Sequence, residues 1–306
     1  MNLERRGTKR NAALDYARLI AAIGIIVFHV GAPGAAVGYA ALPFFLMLLL
    51  ILAFPAALRQ DFASYARSRA SRLIWPWLTW SLVYGALKAA EVILGGKTVS
   101  SEFMPWMLLT GPALHLWFLP FAFIACIAMW PLARRFQSLQ ILGRIVCTVL
   151  GLSLSVSILM ATQDRVAPPL AQWLYALPAV FIGYVFALLA NVQRPVLSTS
   201  LALSCLCCLL LFLDWPKGAM QLFLASGAFM ICLLLPLPDN ATANRMASLS
   251  LTLYLAHPMI ISGLLRVTSI PEKSTSMAFA AVIGTMLFAL VLQRIPLATN
   301  ARAGSG

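Results

Sequence analysis

The chain has 306 residues, of which 61% are apolar and 10% charged, with a mean hydropathy of +0.89 and a net charge of +13. A water-soluble domain carries about 25% charged residues, so this composition excludes a soluble enzyme and points to an integral membrane protein. Lipid cannot satisfy free backbone groups and the apolar runs lack the alternation of barrel strands, so the expected fold class is all-α, a polytopic membrane helix bundle.

A spanning helix needs about 20 apolar residues. Ten such runs fit between the polar breaks, at about 14–31, 38–58, 73–94, 112–131, 142–160, 170–190, 197–213, 219–236, 247–265 and 276–294. No fixed-period repeat, low-complexity tract or long linker divides them, so one membrane domain over 1–306 is expected, with short tails at about 1–13 and 295–306. With the N-terminus inside, fifteen lysines and arginines gather on the inner side, from Arg5, Arg6, Lys9 and Arg10 through Arg59 to Arg302. Five lie outside: Lys97, Arg165, Lys217, Arg266 and Lys273. That bias puts both termini in the cytoplasm. The excess charge then reads as a topology signal and an attraction to anionic membrane lipids, and no nucleic-acid partner is called for.

The first span carries Asp15, Arg18 and His29 among nine Leu, Ile, Val and Phe residues. Each apolar residue contributes roughly −0.3 to −0.6 kcal/mol at mid-helix, whereas a charge there costs about 2.5 to 3.5 kcal/mol. The two charges cancel most of the gain, which argues for a role. Eleven residues are nearly three helical turns, so Arg18 and His29 share a face about 16 Å apart along the axis. Asp15 lies close to the same face. The plain alternative is that Arg18 snorkels to inner headgroups and His29 satisfies a packing bond; the pair on one stripe favours function. The basic start and Gly31–Ala36 have the outline of a cleaved leader, but Asp15 and Arg18 argue against one.

An inner loop at 59–72 contains Arg67-Ser68-Arg69-Ala70-Ser71-Arg72 and leads into Trp75-Pro76-Trp77 and Trp80. Two readings stand. Arginines followed by tryptophans describe an ordinary membrane boundary, and Arg69 with Arg72, one turn apart, describes a phosphate clamp. Lys88 and Glu91 read as an interfacial ion pair near the outer end of the third span, and Glu102, in an outer loop at 95–111, has no assigned partner. These two loops are the expected entries for polar ligands.

The chain's three histidines, His29, His115 and His257, all fall inside spans and towards the outer side. Converging in one cavity, they would suit a proton relay, a transition metal or acid/base catalysis; taken singly, His115 and His257 are equally well explained as bonds between helices. The cysteines Cys126, Cys147, Cys205, Cys207, Cys208 and Cys232 all lie in spans without a CxxC pair or zinc spacing, so they read as packing residues and no metal site is expected.

Four ordered pieces resemble acyltransferase family 3, the integral-membrane enzymes that O-acylate sugars of cell-surface polysaccharides. They are Leu14-Asp15-Tyr16-Ala17-Arg18 with His29; Arg69-x-x-Arg72 leading to Trp75-Pro76 and Trp80; His115-Leu116-Trp117-Phe118-Leu119-Pro120; and Ser250 through Tyr254-Leu255 to His257. The resemblance implies a core of about ten helices in a bacterial inner membrane, a cytoplasmic acyl-CoA donor and a sugar acceptor. It implies that His29 is the essential histidine with Arg18 as its partner, and that Arg69 and Arg72 form the cytoplasmic arginine motif. His115, Trp117, Tyr254 and His257 match motif positions on the acceptor or cavity side. One departure stands in the second span, Leu42-Pro43-Phe44-Phe45-Leu46-Met47-Leu48-Leu49, where many members have Ser-Gly-Phe or Ser-Gly-Tyr after the paired aromatics. That bears on helix packing or acceptor specificity. The extra soluble hydrolase-like domain of some relatives is not expected.

The expected function is membrane O-acyl transfer, most commonly of acetyl with succinyl as competitor, from acyl-CoA to a hydroxyl of an exopolysaccharide or lipid-linked glycan. Arg69 and Arg72, with Arg67, would hold the donor's phosphates, Arg18 would guide its arm, and His29 would act as general base or transient acyl carrier. No tightly bound cofactor is implied; acetyl-CoA is a substrate. Membrane lipids and polysaccharide-synthesis machinery are the other expected partners. The rivals are a transporter or flippase, disfavoured by the absence of an inverted repeat, and an inactive scaffold of a polysaccharide-synthesis complex, which the altered second span keeps open.

Overall fold

A computed structural model describes residues 11–96, 98–162, 166–189, 216–235 and 237–294. The expected span at 197–213, Cys205, Cys207 and Cys208, and the basic residues Arg5, Arg6, Lys9, Arg10, Lys97, Arg165, Arg194 and Arg302 lie outside them. Among the described residues the structure is helical, without strands. The helices are α1 (Ala12–Val30), α2 (Ala35–Gly38), α3 (Ala41–Arg59), α4 (Phe62–Gly95), α5 (Val99–Glu102) and α6 (Met107–Thr110). A 3-10 turn (Leu114–Trp117) leads into α7 (Phe118–Ser138), and α8 (Ile141–Thr162), α9 (Leu170–Leu189), α10 (Pro216–Leu234), α11 (Ala241–Val267) and α12 (Thr275–Arg294) follow.

Seven segments among the described residues are long and apolar enough to cross a membrane. They coincide with seven of the expected spans, and α8 and α10 occupy two more. Large apolar side chains face outward, Leu82 at 76%, Ile93 at 78% and Ile20 at 69% exposure. Such exposure is penalised in water and neutral in hydrocarbon, so these faces are lipid-facing. The chain is a multi-pass membrane protein of all-α class.

One expectation needs correction. The inner break at 59–72 is not a loop: α4 is a single helix of 34 residues that begins at Phe62 and carries Arg67, Arg69 and Arg72 on its first turns. Asp61 is its N-cap, accepting from Ser64 N at 3.0 Å. The Ser64 amide and hydroxyl bonds hold that carboxyl below its usual range. At 1.5 Å per residue α4 is about 51 Å long, against about 30 Å of hydrocarbon, so its charged start extends past the apolar layer.

The chain divides into two compact units, Met1–Leu42 with Gly227–Gly306, and Pro43–Ser226. In the first, Asn11 ties the start of α1 to the stretch that follows α10. Its Oδ1 accepts from Ala13 N at 3.0 Å and Leu237 N at 3.1 Å, and its Nδ2 donates to Cys232 O at 2.7 Å. Asn240 caps α11 through Ala243 N at 2.8 Å and also accepts from Tyr16 Oη at 3.3 Å. The chain leaves α1 at Gly31, a left-handed C-cap with φ 70, and α2 folds back on the helix just left. A Cβ on Gly38 would overlap the Gly24 carbonyl oxygen, so only this glycine pair permits that approach. Phe28 stacks on Tyr39 with centroids 4.1 Å apart.

In the second unit, two tyrosines donate to consecutive carbonyls of α7: Tyr65 of α4 to Cys126 O at 2.8 Å and Tyr184 of α9 to Ala125 O at 2.7 Å. Arg134 closes the C-terminus of α3, donating to Ala57 O and Gln60 O at 2.9 Å each while lying 3.9 Å over the Trp130 ring. The departure in the second span falls in this core. Leu46 and Met47 are fully buried, and Gly183 of α9 lies close to Met47 and Leu50: its added Cβ would stand 3.0 Å from Met47 Cα and 2.9 Å from Leu50 Cδ1.

Candidate active site

His29 stands eighteen residues beyond the cap Asn11, and His257 seventeen beyond the cap Asn240. Because α1 and α11 start side by side and rise equally per residue, the two imidazoles reach one level, with centroids 4.5 Å apart at 61°. His29 is exposed and His257 fully buried.

Both rings are oriented by the main chain of their own helices. His29 Nδ1 lies 2.9 Å from Ile25 O, and His257 Nδ1 lies 2.7 Å from Tyr254 O. A carbonyl only accepts, so each Nδ1 carries the proton, and in the neutral ring Nε2 is left as the basic nitrogen. The second bond has a sequence cause. Pro258 sits inside α11 and has no amide to give the carbonyl four residues back, which is that of Tyr254. His257 fills the vacancy. The Tyr254 ring lies 6.1 Å from His257. Pro258 and the two asparagine caps carry the alignment of the pair, and charge and hydropathy alone pass over them.

Arg18 and His29 share a face, as the eleven-residue spacing requires. The Arg18 guanidinium, partly exposed, lies 3.4 Å from the buried Asp15 carboxylate.

In the second unit the three arginines separate. Arg69 is buried, its guanidinium 5.4 Å from the centroid of the Tyr65 ring and 3.4 Å from Ser68 Oγ. No carboxylate pairs with it among the described residues, and its Nε is buried without a hydrogen-bond partner there. Such an atom costs about 1–3 kcal/mol, more when charged, and an anion would relieve it. Arg72 is exposed and about 60° around the helix from Arg69, within reach of the same ligand. Arg67, also exposed, is about 160° away from Arg69, so the helix does not bring it into that pair.

His115 and Trp117 are buried in this unit. His115 meets Tyr84 edge-on at 5.1 Å, and Trp117 meets Phe121 at 5.6 Å. The neighbouring stretch is held by Trp77, whose Nε1 donates to Thr110 O at 2.8 Å. Lys88, expected to pair with Glu91, forms a 3.0 Å ion pair with Glu102, the carboxylate to which the sequence assigned no partner.

A family model described as an acyltransferase domain matches residues 11–294. No curated protein and no solved structure matches the chain. The match begins at the cap of α1, ends at the last residue of α12, and contains the paired histidines, Arg18, the arginines of α4 and His115. The chain therefore belongs to acyltransferase family 3 and is a multi-pass membrane acyltransferase.

Proposed function

We propose that the protein moves an acyl group, acetyl first and succinyl as competitor, from cytoplasmic acyl-CoA to a hydroxyl of an exopolysaccharide or lipid-linked glycan in a bacterial inner membrane. The observation that carries the reading is the imidazole pair: an exposed His29 with its Nδ1 committed to Ile25 O, backed by His257. His29 Nε2 takes the proton of the acceptor hydroxyl as its oxygen attacks the thioester carbonyl. The tetrahedral intermediate collapses, the C–S bond breaks, and the imidazolium returns the proton to the departing thiolate. Ester and free CoA thiol result, with atoms and charge balanced. The same nitrogen would serve if the acyl group rested briefly on His29.

The buried, incompletely satisfied Arg69 with Arg72 beside it supports a site for the donor's phosphates, where guanidinium forks fit well. Arg18, neutralised in part by Asp15, is assigned to the donor's arm. The basic residues near the N-terminus support a cytoplasmic start, which places Arg18 towards the donor side.

The test is acyl transfer by purified protein in liposomes, with radiolabelled acetyl-CoA and crude lipid-linked glycan. His29→Ala is expected to lower kcat by about 10²- to 10⁴-fold, the usual contribution of a general base, while CoA binding persists. Arg69→Ala is expected to raise the KM for acetyl-CoA about tenfold or more, as loss of charged hydrogen bonds does. No transfer from either acetyl- or succinyl-CoA, with no CoA binding, would sink the proposal in favour of a transporter or scaffold.

A further inference from the structure

The loop between α11 and α12 carries a lysine whose conformation and position call for an explanation. Ser274 caps α12, accepting from Met277 N at 3.0 Å and donating to Pro271 O at 2.6 Å. Lys273, held between these anchors, has φ 57 and is the non-glycine residue of positive φ among the described residues. The left-handed region costs a residue with a Cβ about 1–2 kcal/mol, a strain that glycine escapes and asparagine lessens. A lysine kept there points to a use for its side chain. That side chain lies across Gly31, the left-handed cap that ends α1: a Cβ on Gly31 would stand 3.3 Å from Lys273 Cγ. Gly31 follows His29 by two residues. Lys273 is exposed and makes no ion pair among the described residues, its neighbour Glu272 included. The stem of a side chain that ends in an ammonium with three donors thus lies beside the end of the helix that carries the exposed imidazole.

We propose that Lys273 is a specificity-determining residue that binds an anionic group, phosphate or carboxylate, on the acceptor whose hydroxyl meets His29. This rests on the acyl-transfer reading above. A neutral sugar gains nothing from the ammonium, whereas a glycan carrying a phosphate or a uronate gains a charge-assisted hydrogen bond that orients the chain next to the base. The competing account is purely structural: a cation near the C-terminus of α1 complements its dipole.

Wild type, Lys273→Met and Lys273→Arg are compared in the liposome assay with crude lipid-linked glycan. The expected KM for glycan is about fivefold higher in Lys273→Met, the effect of one partly exposed ion pair, and recovers in Lys273→Arg, while the KM for acetyl-CoA follows neither change. Inorganic pyrophosphate and glucuronate serve as competitors. Whichever inhibits wild type and spares Lys273→Met identifies phosphate or carboxylate as the group bound. Equal glycan KM in all three proteins overturns the proposal, as does a fall in thermal midpoint for Lys273→Met with no change in that KM. Where wild type itself transfers no acyl group, it is the acyl-transfer reading that fails. Lys273 is then judged by amine labelling of the purified protein: protection by pyrophosphate or glucuronate upholds the anion site, and undiminished labelling overturns it.

Discussion

Pro258 cannot supply the amide that would bind the Tyr254 carbonyl, and His257 uses that carbonyl at 2.7 Å. Pro258→Ala restores a competing donor at the same oxygen, so the ring loses its fixed orientation. The expected outcome is a kcat lower by about ten- to a hundredfold, the scale of an ångström-sized misplacement, with both KM values held. The ¹⁵N spectrum of labelled histidine is expected to show the His257 Nδ1–H signal displaced. An unchanged spectrum and kcat would remove Pro258 from the positioning of the pair. The same contrast explains what could be read from the residues beforehand. His29, His257 and Arg18 stand out because polar groups in apolar runs need a reason, and Arg69 because Arg72 follows it by one helical turn. Pro258, Asn11 and Asn240 act through main-chain hydrogen bonds, which leave no mark in hydropathy. Arg67, expected beside the clamp of Arg69 and Arg72, lies about 160° around α4 from Arg69.

Helices were legible wherever apolar length decided them, and misread where charge interrupted it. The stretch 59–72 looks like a loop by hydropathy, yet the Asp61 cap and a run of Ala, Arg and Ser free of breakers carry α4 through it. In the outer break at 95–111 the short helices α5 and α6 are held by the Lys88–Glu102 pair and by Trp77, long-range contacts that no local pattern announces. The altered second span likewise packs, at Met47, against a distant residue, Gly183 on α9. The contact of α2 with α1 gives a test at this scale. Gly38→Ala forces a methyl group into the Gly24 carbonyl, and the backbone of one element must yield. A loss of about 1–3 kcal/mol is expected, typical of overpacking, read as a lower thermal midpoint in detergent. Gly34→Ala, with nothing within 4 Å of its added Cβ, is the comparison, although its φ of 88 adds strain of its own.

For the whole molecule, composition settled the class and the family match runs from 11 to 294, through both units. Nine helices among the described residues sit where spans were expected, and the remaining expected span at 197–213 lies outside them. Ten spans with a cytoplasmic N-terminus predict that a reporter fused after Gly306 works inside the cell and one inserted after Lys97 works outside. A C-terminal reporter active outside would mean an odd number of crossings. One further consequence follows from the make-up of the first unit, which joins Met1–Leu42 to Gly227–Gly306. His29 lies on α1 and its companion imidazole on α11, with α2 to α10 between them in the chain. A ribosome must deliver the chain from α1 through α11 before the histidine pair can close, so the insertion machinery handles a chemically incomplete site until α11 has been made. Truncated products that lack α11 are therefore expected to enter the membrane without acquiring the paired site.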